Sequence, residues 1–391
     1  GMLFAIDDPE GSYGAAIAPH DDDAQAAAAQ ATRAAMAQAG RPGEMPALIW
    51  VYGTPGEEER TIAGIERSDA LLLIGAFPRH EAALVNARIR KRQRMGGFEI
   101  GRIGCPGDLT YPTTDVGAGP QSLVDLLNGE HSFAEVLEKA ERPMIVVGPG
   151  AVARPDGAAV LAKAREVAER FGMVRDDWNG FNVLHAAASR VGGLELGFVP
   201  GAGGRDVEGI LQGARSGEIE VVYLLGADEI DTRGLENAFV VYQGSHGDAG
   251  ARVADVVLPG AAYTEKAATW VNLEGRPQRS KLTTFPPGEA KEDWRILRAL
   301  SEVLGHKLAY DTPAQLRRRI VEPAPHLGRI DHVEPAPWAA FGGAGKLDDA
   351  PFVSPIADFY RTCAVSRASA VMEACVEEIR GQQLKATGSD D

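Results

Sequence analysis

The sequence predicts a doubly wound α/β protein whose mostly parallel sheets lie in two lobes. Three apolar runs carry this prediction, and each ends in glycine: residues 70–75, 144–148 and 221–226. A strand that is covered by helices on both faces is apolar along its whole length, whereas a half-exposed strand alternates. Helix-like stretches separate these runs, which is the order expected of a parallel sheet with helical crossovers.

The predicted elements alternate along most of the chain. The predicted strands are residues 47–52, 70–74, 100–103, 144–147, 221–225, 239–242 and 255–258. The predicted helices are residues 24–40, 79–94, 121–140, 157–171, 182–191, 207–215 and 293–304, and residues 192–204 are predicted as a glycine-rich loop. Breakers such as Gly40 and Pro42 mark the helix ends, because proline and glycine disfavour continuation of a helix.

These elements group into four segments. Residues 1–58 are an α/β segment without an assigned role, and residues 59–142 are a first Rossmann-like lobe. Residues 143–310 are a second Rossmann-like lobe. Residues 311–391 are an irregular extension with a terminal helix, because proline and glycine are frequent between residues 323 and 355.

Composition restricts the classes of function. The formal charge of −15 argues against nucleic-acid binding, because phosphate contacts need a positive surface. No stretch approaches the roughly 18 to 20 apolar residues of a membrane span, so direct membrane insertion is not expected. The three cysteines, Cys105, Cys363 and Cys375, fit neither a disulfide framework nor a CxxC-type metal signature, which indicates a reducing compartment.

Three local features resemble ligand or catalytic sites, and a structural role is favoured for each. A Gly-Pro-Gly turn at residues 148–150 lacks the third glycine of a dinucleotide fingerprint, and its proline removes an amide donor. His246, Asp248 and Asp255 lack further ligands at metal-site spacing. Cys105 has no neighbouring base in sequence, so a buried structural thiol is expected. We therefore expect no catalytic centre and no metal site.

The densest polar constellation of the chain lies at residues 263–276. Its candidate site residues are Glu265, Lys266, Asn272, Glu274, Gly275 and Arg276. In an extended segment Asn272, Glu274 and Arg276 would project from one face, because successive strand side chains alternate. Spacing alone leaves two alternatives open, a polar ligand site and an internal hydrogen-bond network that ties a long loop to the sheet.

Several motifs carry a resemblance to a known family. They are QGSHGD at residues 243–248, ADVVLPGAAYTEK at residues 254–266 and NLEGR at residues 272–276. These motifs resemble the C-terminal half of the large iron–sulfur subunit of respiratory complex I (NADH-quinone oxidoreductase), which is the 75 kDa subunit in mitochondria. Similar motifs extend over roughly residues 60–380. The broader superfamily is the molybdopterin oxidoreductases, so the resemblance implies a molybdopterin-oxidoreductase-like fold.

The resemblance also implies a function that involves no catalysis by this chain. In active members of the superfamily the ADVVLP and NxEGR elements help to line a pterin cleft, whereas the complex I branch is regarded as having lost molybdenum and pterin. It implies a catalytically silent scaffold that supports NADH-to-quinone electron transfer and has no cofactor in this chain, since the family's iron–sulfur clusters lie in an N-terminal half that is absent here. The implied partners are other peripheral-arm subunits of complex I, at the cytoplasmic face of the bacterial plasma membrane.

Two departures from the family leave other functions open. Residues 2–58 match no part of that large subunit and briefly resemble the start of FIST-type sensory domains. Ala76, Phe77 and Pro78 stand where the family often has Asn before Pro, which puts ligand contact at this loop in doubt.

The first alternative function is a pterin-binding molybdopterin oxidoreductase, or a fragment of one. In it Glu265, Lys266, Asn272 and Arg276 would still contact a cofactor. The second alternative is a stand-alone nucleotide sensor that uses the turn at Gly148.

Overall fold

The computed structural model describes residues 2–6, 62–185, 188–201, 203–227, 229–333, 338–356, 360–361 and 363–386. The helix predicted at residues 24–40 and the strand predicted at residues 47–52 lie outside the described residues. The same holds for most of the segment 1–58.

Short strands and helices alternate along the described chain. The strands are β1 (Met2–Ile6), β2 (Ala70–Ile74), β3 (Glu99–Ile103), β4 (Thr114–Gly117), β5 (Pro143–Val147), β6 (Val174–Arg175), β7 (Trp178–Asn179), β8 (Phe181–Val183), β9 (Val221–Leu225), β10 (Phe239–Gly244), β11 (Val256–Pro259), β12 (Thr269–Val271) and β13 (Pro277–Arg279). The α-helices are Pro78–Glu81, Ala83–Arg94, Gln121–Asn128, Phe133–Lys139, Pro149–Val152, Gly157–Arg170, Ala188–Glu195, Val207–Ser216, Ala249–Val253, Asp293–Val303, Pro313–Val321, Ala364–Arg367 and Ala370–Ala386, with 3₁₀ helices at Ile62–Arg67, Tyr263–Glu265 and Pro325–Gly328.

The first sheet has five parallel strands in the order β4-β3-β2-β5-β8. The chain runs outward from β2 to β3 and β4, and then returns to the other side of β2 for β5 and β8. The strand order therefore reverses between β2 and β5, and such a reversal is the topological switch point of an open α/β sheet. The domain boundary predicted between residues 142 and 143 passes through this sheet, since β5 pairs with β2.

Helices cover both faces of the first sheet. Leu72 and Ile74 of β2 belong to a core cluster that includes the apolar face of the helix Gly157–Arg170. The alternate residues Leu71 and Leu73 belong to a second cluster on the opposite face. All five residues of β2 are buried, which explains why its sequence is apolar throughout. The predicted doubly wound α/β fold with parallel sheets is thereby confirmed.

The second sheet has the order β1-β9-β10-β11. Strands β9, β10 and β11 are parallel, while β1 pairs antiparallel with β9, so that Met2 lies opposite Leu225. The helix Val207–Ser216 packs on this sheet and is capped by Asp206, whose carboxylate accepts a hydrogen bond from Gly209 N at 2.8 Å. Apart from β1, the strands of the two sheets are thus separated along the chain between β8 and β9.

Three predicted helices differ from the observed elements, and the one predicted at residues 79–94 is divided at Ala82 into Pro78–Glu81 and Ala83–Arg94. The helix predicted at residues 182–191 was wrong at its start, because Asn182 lies in β8 and its amide donates to Ile145 O at 3.2 Å and Gly180 O at 3.0 Å. The helix itself is Ala188–Glu195, which extends into the predicted glycine-rich loop. The single helix predicted at residues 121–140 is divided at Gly129, whose φ of +73° ends the first of two helices.

The C-terminal extension is irregular between its helices, as the sequence predicted. Residues 338–356 contain no helix or strand, and their side chains Phe341 and Phe352 join the core cluster that contains Leu72. In the part of the chain that the structure describes, no helix is both long and apolar enough to cross a membrane.

Candidate functional site

A buried glutamine organises the polar side chains at the carboxyl end of the second sheet. Gln243, at the end of β10, is fully buried, and its Oε1 accepts a hydrogen bond from the hydroxyl of Tyr223. Its Nε2 donates to Asp293 Oδ1 at 2.9 Å. Burial, followed by the nearby charge of Asp293, raises the pKa of Tyr223 to about 12. The phenol therefore remains a hydrogen-bond donor at neutral pH.

Lys266 meets the same carboxylate from the other side. Its Nζ forms an ion pair with Asp293 Oδ2, and the two side chains are only 23% and 28% exposed. Asp293 is the first residue of the helix Asp293–Val303, where the helix dipole favours a negative charge. Gly260 leaves room for this carboxylate, since an added Cβ there would lie 2.9 Å from Asp293 Oδ1. The carboxylate thus joins a sheet, a loop and a helix.

Glu265 is turned toward its own backbone. It ends the 3₁₀ helix Tyr263–Glu265, and its Oε2 accepts a hydrogen bond from Ala262 N at 2.9 Å. The carboxylate therefore caps a local turn and satisfies an amide that the turn itself leaves free.

Asn272 closes the tight turn between β12 and β13. Its Oδ1 accepts hydrogen bonds from Glu274 N and Arg276 N, both at 2.9 Å, and its carbonyl oxygen accepts from Gly275 N at 3.0 Å. Gly275 has a φ of +76°, which glycine adopts without strain. The expectation that Asn272, Glu274 and Arg276 share one face of an extended strand was wrong, because all three belong to this turn.

The turn is tied to two distant segments. Glu274 Oε1 accepts a hydrogen bond from Ile62 N at 2.9 Å, and its Oε2 lies 3.6 Å from Arg276 Nη2. The Nη1 of Arg276 donates to the carbonyl oxygen of Asp331. Both charged side chains therefore bind protein groups, and the turn holds the 3₁₀ helix Ile62–Arg67 and the loop at Asp331 in place.

The six candidate residues fall into two local groups. Glu265 and Lys266 lie beside the second sheet, whereas Asn272, Glu274, Gly275 and Arg276 form the hairpin turn. Each of the five side chains has a hydrogen-bond or ion-pair partner within the chain. Of the two alternatives that spacing left open, this geometry favours the internal network.

Three members of the polar network, Tyr223, Gln243 and Asp293, were not predicted as site residues. Gln243 directly follows the strand predicted at residues 239–242, and polar residues at the carboxyl end of a parallel strand lie at the edge where sites form. Asp293 begins a predicted helix, which is a position that draws acidic side chains for structural reasons as well. Their mutual contact depends on register and loop path, which local patterns do not encode.

Cys105 lies at the carboxyl edge of the first sheet, just after β3. It is buried and has a φ of +45°. Burial, with a further contribution from the charge of Glu81, raises the pKa of its thiol to about 12. The thiolate is the nucleophilic and metal-binding form of cysteine, so this side chain is held in its unreactive form.

The residues considered as a metal-type cluster are not brought together. Asp255 Oδ2 accepts a hydrogen bond from Val240 N at 2.7 Å, Asp248 Oδ2 binds Arg367 Nε at 2.6 Å, and His246 Nδ1 lies 3.0 Å from Ser245 Oγ. Within the described residues, no group of three or more His, Cys, Asp or Glu side chains is placed to hold a metal ion.

The glycine turn after β5 is explained by packing. An added Cβ at Gly148 would lie 2.4 Å from Ala76 Cα, in the loop after β2. The backbone of Gly150 donates to Gly75 O at 3.0 Å, so the two loops are in direct contact. A tight structural turn accounts for these glycines without a nucleotide.

Comparison with known proteins places the chain in a family. The sequence model of the family described as molybdopterin oxidoreductase matches residues 31–303, which is more than half of the chain. The chain belongs to the molybdopterin oxidoreductase family. A second model, which describes the C-terminal region of the NADH-ubiquinone oxidoreductase G subunit, matches residues 332–375. The family match begins at residue 31, inside the segment for which the motifs gave no counterpart.

Several relatives of this family member are subunits of one kind of complex. It is 40% identical over 317 residues to the NADH-quinone oxidoreductase G subunit of Rickettsia bellii, and the match covers 81% of this chain and 45% of that protein. It is 41% identical to the NADH-ubiquinone oxidoreductase 75 kDa subunit of Reclinomonas americana, with 80% and 45% covered. It is 43% identical to the mitochondrial 78 kDa subunit of NADH-ubiquinone oxidoreductase from Neurospora crassa, with 81% and 42% covered. The chain spans less than half the length of these relatives.

A solved structure is also similar. The acetylene hydratase from Pelobacter acetylenicus is 13% identical with a TM-score of 0.37, over 73% of this chain and 58% of that chain.

Proposed function

We propose that this member of the molybdopterin oxidoreductase family is a catalytically silent scaffold in the peripheral arm of NADH-quinone oxidoreductase. It supports NADH-to-quinone electron transfer by packing against neighbouring subunits and by positioning the cluster-bearing part of the complex. The names of relatives that are 40–43% identical over about four fifths of the chain support this assignment. As a peripheral component, it lies at the cytoplasmic face of the membrane that holds the complex.

One observation supports the proposed lack of catalysis: the two cationic side chains among the candidate residues, Lys266 and Arg276, already have partners within the protein. Lys266 binds the carboxylate of Asp293, and Arg276 binds the Asp331 carbonyl beside Glu274. An anionic cofactor would have to displace these partners, and it would leave the carboxylate of Asp293 desolvated without its cation. That cost opposes binding, because a partly buried charge without a partner is unfavourable.

Cys105 supports the same proposal. The side chain of Cys105 is buried in the apolar core cluster that contains Leu72, where a charged group is disfavoured. The protein therefore offers this position as a packed apolar group.

Three exposed apolar side chains in the same part of the sequence as Lys266 and Asp293 support a packing role. Tyr263, Phe285 and Val303 are 62%, 83% and 84% exposed, and they all lie between residues 263 and 303. Each exposed apolar side chain offers apolar area that burial against a neighbouring subunit removes from water. We assign them to contacts with other subunits of the complex.

The proposed lack of catalysis is tested by measuring the metal and cofactor content of the chain. Elemental analysis for molybdenum and iron, combined with mass spectrometry for pterin, is expected to find neither metal nor pterin in stoichiometric amount in the purified chain. The variants Lys266→Met and Arg276→Met are expected to give the same result as the unmodified protein. Stoichiometric molybdenum or pterin, lost in either variant, would overturn the proposal in favour of a pterin enzyme.

The scaffold role is tested by co-purification from the source organism. A tagged chain is expected to bring down other subunits of NADH-quinone oxidoreductase. Phe285→Ser combined with Val303→Ser is expected to weaken this association. Val371→Ser is the matched control, because Val371 is an exposed apolar residue as well, with 67% of its surface accessible, but lies on the terminal helix. Capture of no complex I component by the unmodified chain would contradict the role.

A further inference from the structure

A segment of the C-terminal extension, residues 348–356, lies across the carboxyl edge of the first sheet and is named the strap. Phe352 N donates to Ala118 O at 2.8 Å, and Cys105 N donates to Phe352 O at 2.9 Å. Ala118 follows β4 and Cys105 follows β3. The strap therefore bonds through its backbone to the loops that follow two neighbouring strands.

Phe352 anchors the strap. Its side chain is fully buried, and a Cβ added at Gly104 would lie 2.4 Å from the Cβ of Phe352. The guanidinium carbon of Arg154 lies 5.1 Å from the centre of the Phe352 ring, and its Nη1 donates to Ala350 O at 3.0 Å. The loop after β3 thus has no side chain where the strap needs space, and an arginine holds the strap from the other side.

The strap covers the switch point between β2 and β5. A Cβ added at Gly150 would lie 2.7 Å from Val353 O, 2.8 Å from Gly75 O and 3.0 Å from Cys105 Sγ. Ligands of open α/β sheets bind outside the carboxyl ends of the strands at this point. In this protein the place is filled by the backbone of its own extension.

A polar contact holds the far end of the strap. Ser354 Oγ donates to Glu81 Oε1 at 2.8 Å, while Glu81 Oε2 accepts from Phe77 N at 2.9 Å. Glu81 belongs to the short helix Pro78–Glu81, which follows β2. The strap is thereby joined to the loops after β2, β3 and β4, and its neighbour Val353 points outward with 68% of its surface exposed.

We propose that the strap is a detachable cover of the switch-point crevice. It closes the crevice in the resting state and lifts as a unit, exposing Cys105, while both sheets stay folded. The strap is held by one buried side chain, by hydrogen bonds with Ala118, Cys105, Glu81, Arg154 and Asp156, and by the charge of Arg154 beside Asp348. These contacts favour local opening, because the strands beneath the strap are buried on both faces and are held by far more apolar packing. This inference stands apart from the scaffold role and holds whether or not the chain is part of a complex.

The test uses Cys105 as a reporter in the full chain. N-ethylmaleimide labelling is followed under native conditions, and peptide mass spectrometry separates Cys105 from the exposed Cys363 and the half-exposed Cys375. Phe352→Ala is expected to label Cys105 at least about tenfold faster than the unmodified chain, because the anchor is lost. Val353→Ala is the matched control and is expected to leave the rate within about twofold.

Local opening is separated from global unfolding by a second control. Leu211→Ala removes a buried side chain from the core of the second sheet, so it lowers global stability without touching the strap. It is expected to leave Cys105 labelling unchanged. If labelling instead follows the global unfolding rate in every variant, or if Cys105 of the unmodified chain labels as fast as Cys363, the proposal is overturned.

Amide hydrogen exchange tests whether the strap opens as a unit, and it does not require the Phe352→Ala variant to fold. The amides of Cys105 and Phe352 both bond across the strap, so they are expected to exchange at a common rate well above that of Leu72 in β2. Ser354→Ala, which removes the contact with Glu81, is expected to raise both rates together. Exchange of these amides only at the rate of Leu72 would also overturn the proposal.

Discussion

Lys266 and Asp293 form an ion pair that joins the loop after β11 to the first turn of the helix Asp293–Val303. The second oxygen of the same carboxylate accepts a hydrogen bond from the buried Gln243. A chain of polar contacts thus runs from Tyr223 through the glutamine and the carboxylate to the lysine. Each member is the hydrogen-bond or ion-pair partner of the next, so the loss of one member leaves a buried or partly buried polar group without its partner.

Asp293→Asn is expected to lower the free energy of unfolding by about 2 kcal/mol, because it leaves the partly buried Lys266 without a charged partner. Urea denaturation measures this change. Lys266→Met removes the orphaned cation, so the double variant is expected to lose less stability than the sum of the two single changes. Additive effects would show that the pair contributes no coupling, and would contradict the interpretation.

Tyr223→Phe removes a hydroxyl that donates to the fully buried Gln243. The variant is expected to lose about 1–2 kcal/mol, since the amide oxygen of Gln243 keeps its desolvation cost without its partner. Tyr310→Phe is a suitable control, because it also removes a tyrosine hydroxyl but leaves the bond between Tyr223 and Gln243 intact. Thermal or urea unfolding that shows equal losses in both variants would argue against a special role of the buried amide.

Asn272→Ala is expected to destabilise the protein by about 1–2 kcal/mol, because Glu274 N and Arg276 N lose their shared acceptor. Asn272→Asp keeps an oxygen at the same place and is expected to restore most of this stability. Urea unfolding of the two variants provides the comparison. Equal destabilisation by alanine and aspartate would mean that the acceptor is unimportant.

Local sequence patterns predicted three of the five strands of the first sheet, β2, β3 and β5, and the candidate site only in outline. The run at β2 is apolar because both faces are buried, and this information lies within five residues. The contact of Glu274 with Ile62 N joins residues 212 positions apart, and no local pattern contains it. Asn182 was predicted in a helix because its neighbours are compatible with one. In the structure the amide is satisfied inside the sheet, so tertiary contacts override local preference.

The family motifs added what periodicity lacked, but they did not give the geometry. NLEGR reads as an alternating strand, yet Asn272 and Gly275 make it a turn because the side chain of one and the positive φ of the other close it. The strap at Phe352 was likewise only an irregular stretch in sequence. Its position depends on Gly104 and Ala118, which lie more than two hundred residues earlier.

The ion pair between Asp248 and Arg367 is expected to make stability depend on acid pH. The hydrogen bond from Arg367 is the main cause that holds the pKa of Asp248 below its usual range. A lowered folded-state pKa gives stabilisation that is present above the unfolded-state pKa of about 3.9 and is lost as the pH falls through the folded-state value. Asp248→Asn removes this contribution, yet its side-chain oxygen can still accept from Ala249 N, as Asp248 does at 2.9 Å. Urea midpoints of the two proteins are therefore expected to differ at pH 7 and to converge as the pH is lowered below about 3.9. A difference that stays constant over this range would show that the charge of Asp248 does not stabilise the contact with Arg367.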